Sequence, residues 1–198
     1  MNRKAMKMAV MGLICAAEIS AAAPATVNAM DWGGVVGTVL GGAMAYKEVD
    51  AYVHYVNDTE EGRQAYYEEM KDSMGVNYDE YHNAMLDTLM SNLTEGVAAH
   101  DATIQDKPFL YFLNNDKSFN ASCGLGHVMT VNTGLFRISD NIDEVAFVIG
   151  HEMGHGMKNH SLKGTQKKMR TIIGASVAAE AMGGGAAANI AMSALVGQ

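Results

Sequence analysis

Cysteine is nearly absent from this 198-residue chain, which carries only Cys15 and Cys123. Cys15 falls in an N-terminal stretch that reads as a cleavable export signal. Arg3, Lys4 and Lys7 form its basic start, Met8 to Ala23 is apolar and Ala-rich, and Val27-Asn28-Ala29 supplies small residues before a cut. Ile14 precedes Cys15 where a lipidation signal carries a small residue, so a lipid anchor is not expected. Loss of residues 1–29 would leave Cys123 alone, and no internal disulfide could form although the compartment would permit one. A long apolar run is also lacking: Glu18 and Pro24 interrupt the leader, which argues against the competing reading of a spanning helix there. Basic residues are few, 14 Lys and Arg against 22 Asp and Glu. Cleavage removes three basic residues and one acidic residue, taking the net charge from −8 to −10. Such a surface argues against nucleic acid as a partner and against charge-driven adhesion to anionic lipid. What remains, 48% hydrophobic, is enough for one core and one domain.

Gly33, Gly37, Gly41 and Ala45 repeat every fourth residue. That stripe allows close packing inside the protein, or contact with a membrane or an envelope partner. Tyr46 to Met74 is helical and charged, interrupted at Asn57-Asp58-Thr59, with Thr59 capping the second piece and Tyr66, Tyr67 and Met70 as its packing face. Asp79 starts another helix with Tyr81, Met85, Leu86, Leu89, Met90 and Leu93 as the buried stripe. His54, His82 and His100 have no metal-ligand spacing and read as solvated or hydrogen-bonded residues. Phe109 to Leu113 predicts a strand, and His127 to Val131 a second one, reached through a glycine-containing turn over 120–126. Cys123, with His127 four residues on, could be taken for a nucleophile; among glycines it reads instead as a small packed residue. A short helix is predicted at Leu135-Phe136. Lys163 to Arg170 reads as a solvated basic face, and Ile172 to Val196 as two short Ala/Gly-rich helices or a hairpin about Gly183-Gly184-Gly185.

Chemistry concentrates at His151-Glu152-Met153-Gly154-His155. Two imidazoles four residues apart lie about 40° apart around a helix, so both can reach one ion from one face. Glu152, beside the first ring, can approach a water held by that ion. H-E-x-x-H on a helix is the zincin pattern, with two ligands and a general base for peptide hydrolysis. The helix is predicted independently. Asn141 caps it, Glu144 is the reciprocal partner, and Ile142, Val145, Ala146, Ile149 and Met153 form its stripe. No proline falls between Ile142 and His160, and Gly164 marks the expected end. On a continuous helix His160 would lie about 140° round from His155, and Lys158 stands where the metzincin pattern has Gly. His160 therefore reads as a surface residue or one standing behind the ligands.

From Phe109 to His160 the chain resembles the HtpX-like zinc metallopeptidases, the family that includes the CAAX prenyl proteases, and within it the exported bacterial members of the BepA and LoiP kind. Asn120-Ala121 with Gly124 and Gly126, Val128 through Leu135, Asp143-Glu144-Val145-Ala146, and the motif followed by His160 carry the likeness. It implies an α+β fold, a mainly helical minigluzincin-like zincin with a small sheet beside the motif helix. It implies zinc on His151 and His155, Glu152 as base, and protein or peptide substrates, exported or misfolded envelope proteins among them. It also implies an edge strand that aligns the substrate, expected at His127 to Val131. On this reading residues 30–105 are a helical part, 106–165 the catalytic core and 166–198 an Ala/Gly-rich helical tail. The family's third ligand, a Glu in a Glu-x-x-x-Asp setting, has no match. Glu180, the one acidic residue after Lys163, is a weak substitute. The expectation is a C-terminal truncation that leaves the third ligand beyond residue 198 and this form with little activity. The rival is a non-catalytic, chaperone-like binding protein, or an inactive remnant, using the same groove.

Overall fold

The computed structural model describes residues 43–181, with side chains from Asp50 to Thr171 apart from Met169. The export signal, all but the last three residues of the Gly33–Ala45 stripe, and the glycine triplet with the tail after it lie outside the described residues. The chain divides into two compact units, one over Tyr55–Ser161 and one formed by the segments on either side.

Helices α1 (Ala43–Asp58) and α2 (Glu60–Met74) are separated where the sequence predicts. Thr59 is extended, its hydroxyl accepts from the Gly62 N–H at 3.0 Å, and Glu60 and Glu61 meet the positive end of α2. Helix α3 (Glu80–Ala98) is capped by Asp79, which accepts from the His82 N–H at 2.9 Å. Leu86 and Met90 are buried, but Tyr81 is 71% exposed. The expected stripe is therefore corrected at its first turn. His82, four residues before Leu86, takes the inward position and meets Phe136, while Tyr81 leans on the outer side of the His82 ring.

The sheet has three strands, β1 (Leu110–Asn114), β2 (Ala121–Cys123) and β3 (Val128–Asn132). They lie in the order β1-β3-β2; β3 runs parallel to β1, pairing Leu110 with Val128, and antiparallel to β2, pairing Cys123 with Met129. Both predicted strands begin one residue late. Phe109 stacks on His127 instead of pairing, and Gly126 and His127 both sit at positive φ, 67° and 59°, which no strand residue adopts. Arg63 holds that turn: its Nε donates to the Gly126 carbonyl at 2.6 Å and its guanidinium also bonds the Pro108 carbonyl and Glu60.

The expected edge strand is not an edge. β3 is central and every one of its residues is buried, because it must pair on both sides. The outer side of β1 is covered: Tyr67 donates its hydroxyl to the Tyr111 carbonyl at 3.0 Å, and the Asn77 N–H donates to Leu113 at 2.7 Å. The edge that remains is β2.

Below the sheet, α4 (Thr133–Ile138) leads to α5 (Ile142–Met157). Asn141 caps α5 by accepting from the Glu144 N–H at 3.0 Å. The Glu144 carboxylate reaches further back than a simple capping box, to the Ser139 hydroxyl at 2.6 Å and the Asp140 N–H. Val145, Ile149 and Met153 face the core with Leu113, Met129 and Leu135, whereas Ile142 stays exposed. The helix ends at Met157 and not near Gly164. Asn159 adopts a left-handed φ of 51°, which Asn tolerates, and its N–H returns to the Gly156 carbonyl at 2.8 Å. A new helix, α6 (His160–Ala181), starts there with Gly164 inside it.

In the flanking unit, Gln166 donates to Asp50 at 3.2 Å and lies 3.1 Å from His54. Lys163, Lys167 and Arg170 are exposed, the solvated face expected, while burial lowers the pKa of half-buried Lys168. Among the described residues no helix is long and apolar enough to cross a membrane.

Candidate metal centre

The stripe that buries Val145, Ile149 and Met153 turns the opposite face of α5 outward, and His151, Glu152 and His155 lie on it. The two imidazole Nε2 atoms are 3.0 Å apart, with ring centroids 4.7 Å apart and the rings at 70°. One ligand atom from each of His151, Glu152 and His155 falls within 4.8 Å of the others, the one such group among the described residues. The donor set suits zinc. At Zn–N distances of about 2.0–2.1 Å, two ligands on a tetrahedral ion stand about 3.3 Å apart, close to the separation here.

Glu152 is half-buried. Desolvation raises its pKa, opposed by the His155 and His151 rings and by the Cys123 backbone N–H, which donates to the carboxylate. Its affinity for a proton is thereby moved toward what a base working near neutral pH needs.

Strand β2 comes to α5 through a missing side chain. A Cβ at Gly156 would lie 2.8 Å from both Cys123 Sγ and Phe109 Cε1, so glycine permits the approach. The Gly124 N–H bonds Val128 and the Asn120 carbonyl bonds Asn132, so Asn120 and Gly124 face β3 and the backbones of Ala121 and Cys123 face the other way. The two outward groups of Cys123 meet the site: its N–H meets Glu152 and its carbonyl accepts the Ser161 hydroxyl at 2.6 Å. The thiol itself is buried, 3.9 Å from the Gly124 carbonyl, in keeping with a packed residue and not a nucleophile.

Two further histidines matter. His127 is buried, stacked on Phe109 at 4.6 Å, with Nδ1 2.7 Å from the Lys107 carbonyl. Burial lowers its pKa to about 4, although hydrogen bonds to the Lys107 and Gly156 backbones pull the other way. It braces the end of α5 against the start of β1. His160 lies with Nδ1 2.8 Å from His155 Nδ1, on the side of that ring away from His151. A groove of about 410 Å³, mostly apolar but with Asp143 among Leu93, Ala146, Phe147 and Gly150 in its lining, opens beside His151.

The structure brings His151, Glu152 and His155 together as neighbours, as their spacing predicts. Ala121–Cys123, expected as turn, is strand β2, with Asn120-Ala121 as its signal, and no local pattern marks Ser161. The side chain of Glu180 lies outside the described residues.

The profile of peptidase family M48 matches residues 81–197, more than half of the chain. The chain belongs to this family. Among M48 relatives, the beta-barrel assembly-enhancing protease of Escherichia coli K12 is 25% identical over 172 residues, covering 86% of this chain and 32% of the relative. The protein of that name in Yersinia pestis is 28% identical over 105 residues, 53% of this chain and 21% of the relative. The chain thus spans about a third of the length of these relatives or less. No solved structure matches it.

Proposed function

We propose that this chain is a zinc-dependent metalloendopeptidase of zincin type, with His151 and His155 as two of the three protein ligands a catalytic zinc takes and Glu152 as the general base. The observation that carries the reading is one helical face holding two Nε2 atoms 3.0 Å apart beside a half-buried carboxylate whose pKa is raised. When bound there, zinc supplies Lewis acidity to the scissile carbonyl and to the attacking water.

The chain's own groups do the rest. An extended substrate adds to the outer side of β2, where the Ala121 N–H and carbonyl offer main-chain pairing next to the site. This replaces His127–Val131 as the aligning strand. Glu152 accepts a proton from the attacking water and returns it to the leaving amine, while the Cys123 N–H holds the carboxylate in place. The apolar groove beside His151 receives a substrate side chain.

Substrates are unfolded stretches of exported or envelope proteins. The export signal read in residues 1–29 and the relatives named for beta-barrel assembly support that choice and an envelope location. The test is Glu152→Gln in a zinc-loaded form that carries the third ligand, with unfolded casein as substrate. Zinc content should be unchanged, while chelator-sensitive cleavage falls about 10²–10⁴-fold. Undiminished cleavage would refute the base assignment.

A further inference from the structure

We propose that His160 is a positioning residue for the metal site, fixing the tautomer and ring orientation of His155. The inference rests on the metal reading above. His155 directs Nε2 toward His151 Nε2 and its other nitrogen, Nδ1, toward His160 Nδ1 at 2.8 Å. For Nε2 to offer a lone pair to a metal, the His155 proton must sit on Nδ1, and an Nδ1–H at this distance needs an acceptor. The atom facing it is His160 Nδ1, which then accepts while His160 carries its own proton on Nε2. The rings meet edge-on, with centroids 4.8 Å apart at 74°, so the contact sets direction as well as distance. A ligand histidine whose second nitrogen is anchored in this way loses less freedom when it binds the ion.

The chain makes this contact with a turn. Five residues along an unbroken helix, His160 would point about 140° away from His155. The left-handed Asn159 ends α5 and returns the chain, so that the first residue of α6 falls on the last turn of α5. Asn159 is itself held, its N–H to the Gly156 carbonyl at 2.8 Å and its Oδ1 accepting from Asn57 at 3.3 Å. His160 cannot be a ligand to the same ion as His151, since its nitrogen meets the far side of the His155 ring. It acts through His155.

The experiment measures zinc affinity of the full chain by competition with a chromophoric chelator, and the visible spectrum of the cobalt-loaded protein, for the parent, His160→Ala and His160→Asn. Asn places an amide oxygen where Nδ1 stands and so keeps an acceptor. Far-UV circular dichroism of the metal-free proteins checks that each is folded; His160 is exposed, so all three should be. His160→Ala should bind zinc about 10–100-fold more weakly than the parent, with an altered cobalt spectrum. His160→Asn should stay within about threefold of the parent on the same scale. Equal affinity in His160→Ala, or an equal loss in His160→Asn, overturns the positioning role alone. Failure of the parent to bind zinc overturns the metal reading and this inference together.

Discussion

Two glycines of α5, two residues apart, should respond oppositely to the same substitution. A Cβ at Gly154 meets nothing within 4 Å, so Gly154→Ala gains helix propensity, about 1 kcal/mol, and loses nothing in packing. A Cβ at Gly156 would sit 2.8 Å from Cys123 Sγ, 2.8 Å from Phe109 Cε1 and 3.1 Å from Phe109 Cζ. Both neighbours are buried, and Phe109 is stacked on His127, so neither can swing aside freely. Overpacking of this kind costs about 1–3 kcal/mol, which cancels or outweighs the propensity gain and leaves Gly156→Ala neutral to about 2 kcal/mol destabilised. Urea unfolding followed by circular dichroism should therefore separate the variants by about 1–3 kcal/mol. Adding Cys123→Ala removes one of the obstructing atoms, so the cost of Gly156→Ala should shrink by about 0.5 kcal/mol or more in that background. Equal stabilisation by both alanines would refute the close packing of β2 on α5, and with it the placement of the substrate edge beside Glu152.

His127 has a folded pKa of about 4 against about 6.5 unfolded, so the folded state prefers it neutral. Its contribution is complete above about pH 6.5, is lost as pH falls toward 4, and amounts to about 1–3 kcal/mol; His127→Asn, which tolerates the positive φ, should flatten stability against pH across that window, and an unchanged slope would contradict the buried neutral ring. Arg63→Met strips partners from the Gly126 and Pro108 carbonyls, so it should cost about 2–4 kcal/mol in urea unfolding, and a loss under 1 kcal/mol would show that the turn needs no clamp. Thr59→Ala removes the cap of α2 and should cost about 1 kcal/mol, measured the same way; no loss would mean that Gly62 finds another acceptor.

The helices were readable because their signals are local. Thr59, Asp79 and Asn141 each announce a start with a side chain that bonds a backbone N–H three residues on, and Val145, Ile149 and Met153 repeat at the helical period. The motif followed, since spacing alone puts His151 and His155 on one face. Sheet order was not readable. β2 is three residues long, too short for alternation to show, and its pairing with β3 is decided across the 124–127 turn. That β3 lies between the other two depends on β1, fourteen residues upstream, which no local pattern encodes. The His160 contact was legible only as one of two alternatives, a surface place or one behind the ligands, for a similar reason. It depends on one left-handed residue, and Asn159 carries only a weak bias toward that conformation. Tyr81 shows the limit of periodicity from the other side: the stripe holds from Leu86 onward, but the first turn admits two registers and the structure turns His82, partly buried, toward Phe136 while Tyr81 stays exposed.

The central claim is that His151 and His155 hold a zinc ion while Glu152 stands beside it as base. Zinc content per chain, measured on the purified parent, His151→Ala, His155→Ala and Glu152→Gln after dialysis against a weak chelator, tests it most directly. The account predicts one equivalent in the parent and in Glu152→Gln, and none in either histidine variant, because a site short of one imidazole cannot retain the ion. Zinc content unchanged in His151→Ala, or lost in Glu152→Gln with the fold intact, would contradict it.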